Sequence, residues 1–404
     1  MNSQVKEQPL EVNEVNGQSL THLAILVSYS GSGGVEVITN HLVEGLVNAG
    51  VKVDLLLLKT RGPHFAKLVS HPLLTVTKLS ASSAILAIPE IKRYLQQHPD
   101  KLLLAVKDRA IQAAALASKL AGSKSRVIGQ LHNNMQVGLA NRPAIAQQIR
   151  FALMRRLYSY TGGVIAVSAD AAQSLVAITN LPASKVTVLA NPVVTPALLQ
   201  KARLPASHPW LVNKTLPVIV AAGRLSPQKN FALLLRAFAE VRRSLPVRLI
   251  IFGEGPQRQA LEELANTLGI SEQVSLYGFI ANPYAEMRRA DLFVLSSDWE
   301  GSPTVLTECL ALGVPCVSTD VGDVTETLRG GETGRVVPRG ESELLAAAML
   351  DTLNNPLPAN TLQAAVHKFH QDVAVARYIA LLRRLHQSDS QPETSDNKAR
   401  SFDS

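Results

Sequence analysis

Apolar residues in this chain fall into blocks that alternate between short continuous runs and stretches at helical spacing. His22 to Tyr29 is a continuous run, read as a strand, and Val35 to Ala49 places apolar residues near helical spacing. Gly50 stands where a helix C-cap belongs, and Val51 to Leu58 returns as a second run, completing one βαβ unit. Further strand-like runs over 101–106, 126–131, 163–167 and 185–189 are separated by helical stretches. This alternation predicts a mostly parallel sheet with helices on both faces.

From Pro192 to Pro217 the periodicity fades and prolines accumulate, which predicts a linker over 196–216. A second alternating series follows, with strands at 218–222, 247–252, 274–277, 292–296 and 315–319. Helices are predicted between them over 231–243, 257–268, 283–289 and 305–312. The expected organisation is a loose N-terminus (1–20), an α/β domain (21–195), the linker, a second α/β domain (217–370), a last helix (371–387) and a disordered polar tail (388–404). The fold class is therefore α/β, with two doubly wound sheets facing across a cleft.

At 404 residues the chain is long enough for two cores, and 46% hydrophobic with 18% charged residues excludes a disordered protein. No uncharged apolar run reaches membrane-spanning length, and the polar start lacks the pattern of a signal peptide. Cys309 and Cys316 have no metal-ligand spacing, so buried reduced thiols and a cytoplasmic location are expected. The net charge of +8 is unevenly placed: residues 88–160 alone carry +9. Such a segment could meet nucleic acid, an anionic membrane or an acidic acceptor. Nucleic acid is set aside, because no stacking aromatics are interleaved with the charges.

Two segments carry the chemistry. Gly223-Arg-Leu-Ser-Pro-Gln-Lys-Asn230 puts Arg224 and Lys229 on one loop directly after a strand. Glu300-Gly-Ser-Pro-Thr-Val-Leu-Thr-Glu308 puts two carboxylates on either side of a loop that opens a helix. Two cations can hold a diphosphate, and a carboxylate can accept hydrogen bonds from sugar hydroxyls. Gly301 to Thr304 precede a helix whose free N–H groups favour an anion, and Pro303 suits a first turn. Ser30-Gly-Ser-Gly33-Gly34 joins a strand to a helix without completing a dinucleotide or P-loop fingerprint.

Together with Gly253-Glu-Gly-Pro256, Tyr277-Gly278-Phe279, Ala290-Asp-Leu-Phe-Val-Leu-Ser296 and Ala311-Leu-Gly-Val-Pro315, these segments resemble the retaining GT-B glycosyltransferases of family 4. The resemblance covers most of the chain and is most specific in its C-terminal half. It implies two Rossmann-like domains, the first binding the acceptor and the second the nucleotide-sugar, with the last helix crossing back to the first. It implies transfer of a sugar, with a UDP-sugar preferred, to a lipid-linked or polysaccharide hydroxyl in cell-envelope glycan synthesis, including lipopolysaccharide. No cofactor or metal is expected. An epimerase of the same fold, or a non-catalytic binding subunit, are the alternatives.

Carried onto this sequence, the resemblance makes Arg224 and Lys229 stabilisers of the leaving diphosphate and sets Glu300 against the transferred sugar. It sets Glu308 on the ribose, with Gly223, Gly253 and Gly301, Ser302, Pro303, Thr304 and Val305 around the donor. Gly278, Phe279 and Ile280 would meet the base, and Gly33 and Gly34 would face the phosphates. Many relatives carry an aromatic residue where Ser302 stands. The family often has a histidine touching donor sugar or phosphate where His132 ends a strand, although a structural histidine fits that position equally well. Ser168 matches a family serine but also suits a helix N-cap. The basic amphipathic stretch 144–160 could lie peripherally on an anionic membrane or be a solvated face.

Overall fold

Apolar runs without alternation mark strands covered on both faces, and every residue of Leu102–Val106 is buried. The computed structural model of this protein describes residues 20–29, 34–61, 64–122, 127–132, 134–136 and 143–388. Its first sheet contains β1 (His22–Tyr29), β2 (Lys52–Thr60), β3 (Leu74–Lys78), β4 (Leu102–Val106), β5 (Val127–Leu131), β6 (Gly163–Ala166) and β7 (Val186–Val188). All pairs are parallel, in the order β3-β2-β1-β4-β5-β6-β7. The second sheet is also parallel, with β8 (Val218–Ala222), β9 (Arg248–Phe252), β10 (Val274–Gly278), β11 (Leu292–Leu295), β12 (Cys316–Thr319) and β13 (Arg335–Val337). Its order is β10-β9-β8-β11-β12-β13.

Alternate residues of each strand enter different cores. Leu26 and Leu103 join one cluster and Ile25 and Leu104 another; Val220 and Phe293 are likewise separated from Ile219 and Val294. In each sheet the chain reverses its winding beside the first strand, between β1 and β4 and between β8 and β11. Such switch points leave a crevice at the carboxyl ends of the strands.

The sequence pattern passed over β3 and β13, both at sheet edges. Four of the five residues of β3 are exposed, so no apolar run marks it, and β13 is only three residues long. The stretch expected as a linker is instead two short helices, Pro196–Ala202 and Pro209–Val212. Its prolines start helices, because a first-turn residue needs no N–H partner. Thr195 and His208 cap them by accepting from Leu198 N and Trp210 N, and Leu198, Ala202 and Leu211 enter the second sheet's core. Cys309 and Cys316 are free and buried. The expected loose start and polar tail lie outside the described residues, apart from Leu20 and Ser388 at their inner ends. Among the described residues no helix is long and apolar enough to cross a membrane.

The last helix, Gln371–Ser388, packs on the first, Gly34–Asn48. Gly45 makes this possible: a Cβ there would lie 2.5 Å from Val375 Cγ2. Gln371 Nε2 donates to His41 O at 2.7 Å, and Tyr378 accepts from Gln130 Nε2 at 2.7 Å. Tyr378 and Gln130 are both buried, so Tyr378→Ala would open a cavity and strand an amide. The gentler Tyr378→Leu removes only the hydroxyl acceptor and part of the ring, and should lower unfolding free energy by about 1–3 kcal/mol in a urea titration.

Candidate active site

Because β8 and β11 are neighbours, the loops that follow them meet although some 70 residues separate them. They are joined by backbone and side chain alike. Asp298 N donates to Gln228 O at 2.9 Å, Ser296 Oγ to Lys229 O at 2.9 Å and Asn230 Nδ2 to Asp298 Oδ1 at 2.8 Å. At the centre Lys229 Nζ lies 2.6 Å from Glu300 Oε1, with side chains only 17% and 11% exposed. Ser297 Oγ donates to the same carboxylate oxygen at 2.8 Å, and Gln228 Nε2 donates to Trp299 O at 2.9 Å.

These loops wall a cleft of about 590 Å³ shared by the two sheets. Arg224, Lys229, Glu300 and Glu308 all line it, with Gly223 and the 301–305 segment; Gly34 and His132 reach it from the first sheet. Arg224 is exposed, and among the described residues it makes no ion pair. Two helices begin at the cleft, Gly34–Asn48 and Thr304–Ala311, and a Cβ on Gly34 would stand 4.0 Å from Thr304 Oγ1. Two positive dipole ends therefore converge beside two cationic side chains, which suits a diphosphate.

Four residues expected around the donor do not line this cleft: Gly253, Gly278, Phe279 and Ile280. Gly253 serves packing, since a Cβ there would fall 1.9 Å from Gly223 O. Phe279 is 78% exposed, and Ile280 packs against the second sheet's core. Gly33 lies outside the described residues. Ser168 accepts from Ala171 N at 3.1 Å and so caps a helix.

The cleft holds buried ionisable groups. His132 is 6% exposed; burial, and then the charge of Lys107, hold its pKa down at about 3, so the ring is neutral. Its Nε2 has no partner among the described residues. Glu308 is half-buried on the cleft wall, and burial pushes its carboxyl up to about 7 despite a hydrogen bond from Tyr284 at 3.3 Å. Beneath Ser302, whose Oγ donates to Asp323 Oδ2 at 2.6 Å, burial also raises Asp323 to about 7.

Several contributors left no sequence signal. Asn191, 2% exposed, lines the cleft with an Oδ1 that finds no partner among the described residues. It follows β7 at the Asn-Pro step where periodicity fades. Ser297, Gln228 and Tyr284 are polar residues whose roles come only from what they touch.

Residues 206–369 match the family Glycosyl transferases group 1, and residues 32–195 match Glycosyltransferase Family 4. The chain thus carries a group 1 glycosyl transferase domain in its C-terminal half and a family 4 domain in its N-terminal half. One relative is the N-acetylgalactosamine-N,N'-diacetylbacillosaminyl-diphospho-undecaprenol 4-alpha-N-acetylgalactosaminyltransferase of Campylobacter jejuni, 41% identical over 102 residues, 25% of this chain. The chain spans about a quarter of the length of such curated relatives. The apo form of the lipopolysaccharide outer core galactosyltransferase WaaB superposes with TM-score 0.70 at 16% identity, covering 90% of this chain and 99% of its own. Anabaena HepE in complex with UDP gives 0.64 at 19% identity, covering 91% and 98%. The fold of the chain is thus GT-B.

The raised carboxyls give the chain a proton-linked stability. Their contribution is full below about pH 4, where both are protonated folded or unfolded, and is lost as pH rises through 7. Glu308→Gln should therefore flatten this dependence and raise stability at pH 8 by about 1–3 kcal/mol relative to the parent, read by urea unfolding at pH 5 and pH 8.

Proposed function

We propose that this chain transfers a glycosyl group from a nucleotide-sugar to a hydroxyl acceptor, with retention at the anomeric carbon. The observation that carries this reading is the convergence of Arg224, Lys229 and two helix N-termini on the wall that also bears Glu300 and Glu308. Lys229, Arg224 and the helix ends would stabilise charge on the leaving diphosphate, often the largest catalytic contribution. Glu308 would accept from ribose hydroxyls once ionised, and Glu300 would face the transferred sugar. The departing phosphate would assist deprotonation of the acceptor on the same face. These groups supply positive charge without a metal, so activity is expected to persist in chelator.

A UDP-sugar is the preferred donor; HepE, of the same fold, holds UDP. The acceptor is proposed as a lipid-linked or polysaccharide glycan, in keeping with the diphospho-undecaprenol named for the Campylobacter relative. The test is calorimetric titration with UDP, GDP and ADP in EDTA, followed by a transfer assay with the matching sugar nucleotide. Lys229→Ala should weaken nucleotide diphosphate binding. Glu300→Ala should lower transfer on the order of 100-fold or more while sparing nucleotide binding, because it frees the Lys229 ammonium from its partner. Unaltered turnover would remove Glu300 from the mechanism.

Peripheral contact with the cytoplasmic face of an anionic membrane is part of the same reading. The +9 of residues 88–160 is thinner than composition implies, since Lys101, Lys107 and Arg150 pair with Asp54, Glu36 and Asp108. The support is apolar instead: Ile145, Ile149 and Leu153 are 76%, 65% and 44% exposed along one face of Ala144–Tyr158, beside exposed Arg156. Ile145→Glu/Ile149→Glu should abolish co-sedimentation with phosphatidylglycerol vesicles; a parent chain that ignores such vesicles would sink the contact.

A further inference from the structure

Beside the cleft, and sharing His132 and Val35 with it, lies a second cavity of about 440 Å³ at the carboxyl ends of β1, β2, β4 and β5. Its wall carries Lys59, Lys107, Arg109 and Arg150 against a single carboxylate, Asp108. That carboxylate is fully engaged, by Arg150, by Tyr158 at 2.9 Å and by Gln112 at 2.9 Å. Lys107 is neutralised separately by buried Glu36 at 2.7 Å. Lys59 and Arg109 are exposed and make no ion pair among the described residues, so the wall keeps a surplus of positive charge.

The surplus extends outwards. An adjoining cavity of about 330 Å³ shares Leu58, Lys59 and Ser82 with this one and adds Arg61 and Lys78, with no carboxylate in its lining. Lys107 leaves β4 at φ 75° and ψ 148°, a conformation nearly reserved for glycine. That sharp exit starts the helix Asp108–Ala121 at the cavity wall, so its positive end faces the same space. At the junction with the cleft lies the neutral ring of His132, whose Nε2 has no partner among the described residues.

We propose that the acceptor is anionic: a phosphate, diphosphate or carboxylate group is held by Lys59, Arg109 and the end of the Asp108–Ala121 helix, with the accepting hydroxyl turned towards His132. The proposal rests on the glycosyltransferase reading and names the substrate class for it. A concave cationic wall concentrates anions, and a guanidinium matches the paired oxygens of phosphate and carboxylate. A neutral sugar would gain nothing from either.

The test titrates the full chain, with UDP present to occupy the donor cleft, against inorganic pyrophosphate, glucuronate and glucose at low salt. Pyrophosphate or glucuronate should bind and glucose should not. Lys59→Ala/Arg109→Ala should weaken the anion at least about tenfold while leaving UDP affinity unchanged. Preference for pyrophosphate supports an acceptor on a diphosphate-linked lipid, and preference for glucuronate an acidic polysaccharide end. Failure of both anions to bind, equal binding of glucose, or an unaffected double variant overturns the proposal. Loss of UDP binding alone, with the anion still sensitive to the double variant, removes the donor reading and leaves the anion site standing.

Discussion

The ion pair between Lys229 and Glu300 is the central contact between the two motif loops that wall the cleft. Bringing a lysine and a glutamate out of water costs on the order of several kcal/mol per ion, and only close geometry with extra hydrogen bonds offsets it. Both conditions hold, with 2.6 Å between the charges and Ser297 donating to the same oxygen. That geometry requires β8 beside β11, and it requires Gly253, because any side chain there would push the end of β9 off Gly223. The pair therefore links sheet order to chemistry: it is made where the winding reverses, and it holds both partners facing the open cleft.

Around that pair, the electrostatics separate positive and neutral groups. Arg224, Lys229 and two helix N-termini supply positive potential on one side. Burial keeps His132 neutral and shifts Glu308 towards its uncharged form, so the cleft carries less negative charge than its carboxylates imply. Such a cleft attracts an anion, and a ligand that hydrogen-bonds to Glu308 would draw its proton away.

The two sheets are held in relation by the last helix. It leaves the second domain at Phe369, where Val193 and Val194 both donate to that carbonyl, and it buries Tyr378 against the first domain. Gly34 and Thr304 thus face each other across a cleft whose walls come from opposite ends of the chain.

The sequence by itself determined the strands that are covered on both faces, since burial demands continuous apolar runs; β4, β5 and β8 stand where those runs lie. It also determined which side chains carry charge at the two motif loops, because Arg224, Lys229, Glu300 and Glu308 are distinctive in their local setting. The strands β3 and β13 and the helix Pro196–Ala202 were not legible: β3 is mostly exposed, β13 is three residues long, and the helix is too short to show a period. Direction was not legible either. Gly253 and Phe279 sit in motif-like turns, yet only the packing decides that one meets Gly223 and the other meets solvent. Asn191, Ser297 and Tyr284 became part of the site through contacts made at long range. Local sequence sets which groups exist and which segments are buried; the shifted pKa values, the Lys229–Glu300 pair and the facing helix ends arise only when distant segments exclude water from one another.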